Sequence, residues 1–181
     1  MKTLSWGYPK LSVKSMALLG LLTALQLVLS RFSFGPDFLK FSVTFIVVVL
    51  IGKWFGPVWG SIMAVFTDYI NTLLSGYPYF IGFALSAITG VFIYGIFFYN
   101  RPKINLVRVI IAVSLVLIIV NIFMNTTWVI ITYNYHGMAA IKLIELRAIK
   151  QLIMAPLQII LTYLILNNQA LERLRLNILT Y

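Results

Sequence analysis

"GPVWGSIMAVFTDYINTLL", residues 56–74, is an apolar run of helix length with a carboxylate, Asp68, past its midpoint. Gly-Pro opens it, and proline suits the first turn of a helix, where its missing N–H has no partner anyway. A helix of this length reaches about 28 Å, close to the ~30 Å hydrocarbon core of a bilayer. A charged side chain at that depth costs about 2.5–3.5 kcal/mol on insertion scales, so Asp68 is expected to face other helices or water. Ser61, Ala64, Asp68, Asn71 and Ser75 recur at steps of three or four residues, which places them on one helical face. The run therefore reads as a membrane-spanning helix with a polar stripe turned inward, and the rest of the chain agrees.

The chain has 181 residues, 61% of them apolar and 10% charged. Soluble domains carry roughly 25% charged residues, so the excess apolar surface must face lipid. Six helical spans are expected, at 15–32, 38–55, 56–74, 80–99, 106–132 and 145–166, in one domain covering 1–181. The second is short, and the last has a start that falls anywhere from 138 to 148. No ten-residue alternation suggests a β-barrel, so the fold class is an all-α membrane bundle. The first span has a lysine-bearing front but no A-x-A site behind it, so it is expected to be retained rather than cleaved.

Six spans put both termini on one side. That side collects nine basic residues (Lys2, Lys10, Lys14, Lys53, Arg101, Lys103, Arg108, Arg173 and Arg175) against five on the other (Arg31, Lys40, Lys142, Arg147 and Lys150). The bias predicts cytoplasmic termini. The net charge of +10 does not point to nucleic acid, because the basic residues lie between apolar spans and form no stripe. The outer cations either snorkel to headgroups or line an outward cavity that attracts an anion.

Two more spans repeat the polar stripe. The fifth carries Asn121, Asn125, Trp128 and Thr132, and the sixth carries Arg147, Lys150 or Gln151, Met154 and Gln158. If the three stripes converge, they line a pocket with acceptors, amides, an indole and a cation. Each also has a plainer reading: amides bond neighbouring helices, Trp128 sits in an interfacial belt, and Arg147 and Lys150 snorkel. Gly20 and Ala24, four apart in the first span, allow another helix to approach closely. His136, in "YNYHG", reads as a solvent-exposed loop residue, and Gly137 as a hinge if the 133–150 connection is a lid.

Several chemistries are excluded. Cysteine is absent and histidine occurs once, which removes disulfides and thiol chemistry and leaves little for metal ligation. No P-loop, H-E-x-x-H or G-x-S-x-G motif is present. The Asn125-Thr126-Thr127 sequon lies inside a span, out of reach of glycosylation.

"GLLTALQLVLSRF" (20–32), "LIGKWFGPVWGSIMAVFTDYINTLL" (50–74), "YFIGFALSAITGVFIYGIFF" (79–98), "VNIFMNTTWV" (120–129) and "LRAIKQLIMAPLQ" (146–158) together resemble the folate-type substrate-binding subunits of energy-coupling factor (ECF) transporters. The resemblance spans about 16–165 and implies a small six-helix S component of the bacterial cell membrane. Such a subunit is no enzyme and carries no cofactor. It binds a vitamin from outside with high affinity and docks on a transmembrane scaffold subunit and two ATPases. It delivers the vitamin by toppling in the bilayer. The family's A-x-x-x-A docking motif has Gly20 in place of its first alanine and keeps Ala24.

For folate as ligand, the resemblance gives the stripes roles. Asp68 or Asn71 accepts from the N–H edge of the pterin in a fork geometry. Trp128 stacks on or covers the ring, with Asn125 on the same stripe. Arg31, Arg147 and Lys150 meet the carboxylates of the glutamate tail. Alternatives stay open: another pterin or vitamin, a stand-alone proton-coupled carrier using Asp68, or a membrane enzyme.

Overall fold

A computed structural model describes residues 11–33, 35, 42–76 and 78–179. Lys2, Lys10, Lys40 and the first residues of the second expected span lie outside them. All regular secondary structure among the described residues is helical, without a strand. The helices are α1 (Val13–Arg31), α2 (Phe45–Ser75), α3 (Ile81–Phe98), α4 (Leu106–Leu115), α5 (Asn125–Thr132), α6 (Met138–Leu166) and α7 (Gln169–Leu179). A π-helical stretch, Val116–Met124, joins α4 to α5. Five continuous stretches are long and apolar enough to cross a membrane: Val13–Arg31, Phe45–Ser75, Ile81–Phe98, Leu106–Thr132 and Met138–Leu166. Large apolar side chains stay exposed along them, Leu152 at 75% and Phe123 at 71% among them, as a lipid-facing surface requires.

Local chemistry sets the ends. The Ser12 hydroxyl accepts from the Ser15 N–H at the start of α1, and Asn105 Oδ1 accepts from Val107 at the start of α4. Gly76, with φ 73°, closes α2 in the left-handed conformation. Gly137, with φ 56°, precedes Met138, so α6 begins directly after a short turn. The helix therefore starts at the early end of the expected 138–148 range, and most of the 133–150 connection is helix.

The expected second and third spans form one element, α2, broken at Gly56. Its φ of 78° and ψ of −176° belong to a region open essentially to glycine alone. Pro57 then starts the second half, which runs back along the first. Ile51 Cγ2 lies 3.5 Å from where a Cβ on Gly60 would stand. Ser42 and Thr44, before the first half, line a pocket with Asn71 and Ser75 from the end of the second. A straight helix would hold Thr44 and Asn71 about 40 Å apart. Gly95 of α3 fits the elbow closely, its missing Cβ falling 2.6 Å from Pro57 N.

Lys53 does not occupy an interhelical loop, because Gly56 is the whole connection. It stands in the last turn before the elbow, 2% exposed. Its Nζ donates to the Leu166 carbonyl at 2.6 Å and pairs with Glu172 Oε2 at 2.9 Å. Glu172 belongs to α7, an amphipathic helix that the expected spans do not include, and it also holds Arg175 at 2.7 Å. Leu171 and Ile178 of α7 pack against the cluster of Leu18, Leu22, Ile51, Trp54 and Phe55. A second cluster, with Tyr94, Phe98, Val113, Leu117 and Val120 at its centre, fills the bundle on the other side of α2.

Candidate functional site

Above the second cluster lies a cavity of about 760 Å³, a size suited to a small organic molecule. The three stripes meet there. Ala64, Asp68, Asn71 and Ser75 come from α2. Asn121 and Asn125 come from the π-helical stretch and α5, and Arg147, Lys150, Gln151, Met154 and Gln158 from α6. The 3.6-residue period that the sequence shows is the reason each set faces the same way.

Asp68 has a specific deficit. Its Oδ2 is buried and accepts no hydrogen bond from the described residues. Gln151 Oε1 is in the same state. Unmet buried acceptors cost about 1–3 kcal/mol each, more for a charged group. Both would be satisfied by an N–H-bearing guest. Asn71 differs, because its Oδ1 already accepts from Ser30 Oγ at 2.6 Å and from Arg31 Nη2 at 3.2 Å. What remains to it is its amide donor.

Arg31 is not in this cavity. Its guanidinium also donates to Ser75 Oγ at 3.3 Å and lines an adjoining pocket of about 440 Å³. The two spaces share Ser42, Thr44, Asn71 and Ser75 in their walls. Trp128 also stands apart, behind the wall. Its Nε1 donates to Ser86 Oγ at 3.0 Å, and its ring meets that of Phe80 at 5.7 Å. It lies so flat on α3 that a Cβ on Gly82 would come within 2.6 Å of Cδ2. The aromatic residues that line the cavity are Phe45, Phe80, Phe83, Tyr94 and Tyr133 instead.

Arg147 Nη1 donates to Thr126 Oγ1 at 3.3 Å, and Lys150 lines the cavity one turn further along α6. Gln26 of α1 also reaches the wall; it belongs to a Thr23, Gln26, Ser30 repeat, at steps of three and four, that the stripe reading passed over. Phe80 and Phe83 were equally silent, since phenylalanine in an apolar span looks the same facing lipid or cavity. Gly20 and Ala24 lie on the exposed face of α1, with nothing within 4 Å of a Cβ on Gly20. His136 is exposed and bonds Asn134 Oδ1 at 2.9 Å. No group of three or more His, Asp or Glu among the described residues is placed to hold a metal.

Lipid-facing helices around one half-polar cavity define a multi-pass membrane protein with a place for a small solute. Residues 14–168 match the model of the ECF transporter substrate-specific component, and the chain belongs to that family. It is 36% identical over 173 residues to the folate transporter FolT of Leuconostoc mesenteroides, covering 94% of each chain. It is 35% identical to FolT of Clostridium novyi, over 83% of this chain and 87% of the relative. Among solved structures it is similar to a FolT crystal structure described as bound with folic acid. That match has a TM-score of 0.80 and 38% identity, covering 86% of this chain and 94% of the other.

Proposed function

We propose that this chain is the high-affinity folate-binding subunit of an ECF-type uptake transporter, taking folate from outside the cell. The observation that carries the reading is the buried Asp68 Oδ2, which accepts no hydrogen bond from the described residues, in a cavity that Arg147 and Lys150 also line. Folate presents an N–H edge at one end and two carboxylates at the other, the complement of that arrangement. Asp68 accepts from the pterin, with the Asn71 and Asn125 amides beside it. Phe80 and Phe83 flank the ring, and Trp128 braces Phe80 from behind. Arg147 and Lys150 meet the glutamate tail, and Arg31 in the adjoining pocket attracts its outer carboxylate. The folate transporters to which the chain is similar support this choice of ligand.

The topology that fits is six crossings, with 45–55 and 57–75 as separate passes and both termini cytoplasmic. Docking uses the Gly20 and Ala24 face of α1 against a transmembrane scaffold subunit. Two ATPases then drive toppling of the loaded subunit.

The test is a fluorescence titration of the detergent-purified chain with folic acid, with mass spectrometry of any small molecule that copurifies. Saturable binding is expected, and Gly20→Leu should keep it while abolishing uptake by cells that supply the partners. Absence of folic acid binding would sink the proposal, and uptake by the chain alone would replace it with the stand-alone carrier.

A further inference from the structure

Six threonines of the bundle bond back to the carbonyl of an earlier residue. Five do so in the ordinary way of a helix, four residues back: Thr23 to Leu19, Thr67 to Met63, Thr72 to Asp68, Thr89 to Leu85 and Thr127 to Phe123. Thr126 alone of the six reaches five back, to the Asn121 carbonyl at 3.2 Å. In an α-helix the residue five back lies about 140° around the axis. The wider π turn brings it underneath. The π-helical stretch ends at Met124, one residue before α5 and two before Thr126.

The same hydroxyl receives Arg147. Thr126 is 2% exposed, its single proton is spent on Asn121, and its oxygen accepts from Arg147 Nη1 at 3.3 Å. Donation to a fixed carbonyl orients the lone pairs toward α6. In ordinary α geometry the hydroxyl would turn to Ile122 instead, away from that direction.

We propose that Thr126 is a positioning residue: the π turn aims its hydroxyl at Arg147 and holds the guanidinium at the height where it meets the ligand's tail carboxylate. The inference rests on the folate reading for its ligand but not for its geometry, so the test has two arms. In the first, arginine-labelled protein in detergent, without ligand, gives a side-chain ¹⁵N–¹H spectrum in which Arg147 is assigned from Arg147→Gln. Thr126→Val should move that signal and Thr126→Ser restore it. In the second, folic acid is compared with pteroic acid, which lacks the glutamate. Thr126→Val should weaken folic acid roughly tenfold, as loss of a hydrogen bond to a charged group does. Pteroic acid should change less than about twofold, Thr126→Ser should behave as wild type, and Thr126→Val should add nothing to Arg147→Gln.

If valine at this position prevents folding, alanine and serine variants give the same comparison. An unmoved Arg147 signal, equal weakening of both ligands, or full additivity with Arg147→Gln would overturn the proposal. A wild-type protein that ignores folic acid while its Arg147 signal still answers Thr126→Val would sink the folate reading and leave the positioning role supported.

Discussion

On the proposed function, Asp68 is the residue on which recognition turns. A carboxylate that keeps a buried oxygen without a donor is held there by the fold at a cost, and a ligand with two adjacent N–H groups removes that cost. Asp68→Asn keeps the shape and loses the charge and half of the acceptor capacity. It is expected to weaken folic acid about ten- to a hundredfold in a fluorescence titration, with little change in melting temperature. Unchanged affinity would remove Asp68 from the site. Asp68 was legible in the sequence because a charge inside an apolar run has few cheap explanations. The stripe partners on α6 were legible because 147, 150, 154 and 158 keep the helical period. Trp128 was not: at 3.6 residues per turn it stands 60° from Asn125, near enough to count with the stripe and far enough to face α3. Lys53 was hidden for another reason, since its carboxylate partner is 119 residues away and no local pattern joins them.

At the scale of elements, the elbow in α2 separates two half-helices of unequal length. The first, 45–55, reaches only about 16 Å. Its stability depends on packing against its own second half, α1, α3 and α7 rather than on propensity. The Gly-Pro step signalled a helix start in the sequence. That the break is one residue wide, with no loop, depends on how closely Gly95 and Tyr99 fill the corner, which only the assembled bundle shows. Gly56→Ala forces a side chain into a conformation costing about 1–3 kcal/mol. A drop in thermal midpoint of the detergent-purified protein is expected, and an unchanged midpoint would mean that the elbow adopts another conformation. Lys53→Ala should act on a different element. It leaves the Glu172 carboxylate to Arg175 alone and removes the donor to the Leu166 carbonyl, a loss of about 1–3 kcal/mol. The expected result is release of α7, read as faster amide exchange across 169–179 than in the parent protein, and unaltered exchange there would show that α7 is held by its apolar side chains alone.

For the molecule as a whole, the native chain has no cysteine, which makes sidedness easy to measure. Single cysteines at Ser33 and Ser75 mark the chain just after α1 and at the end of α2. If α2 doubles back as two crossings, an impermeant thiol reagent labels both from outside intact cells. Labelling of only one would show that residues 45–75 cross once. The membrane class followed from composition, because no soluble fold of 181 residues can hide 61% apolar content, and its all-helical form from helix-length apolar runs without ten-residue alternation. The extra helix α7 escaped notice, since its alternation of leucine with arginine resembles a soluble tail as much as a docked element.

The packing beneath the cavity has a consequence for permeability. Ser75, Pro78, Thr132 and Tyr133 stand at its mouth, while Val91, Tyr94, Val116 and Val120 form its floor. Below that floor the interior continues as solid hydrocarbon through Phe98, Val109, Val113 and Leu166. Dehydrating an ion or a zwitterion to pass such a plug is prohibitive. On the proposed function the molecule acts as a cup and not a conduit: a vesicle that holds it alone is expected to keep its salt and proton gradients, and whatever enters the cup to depart by its rim.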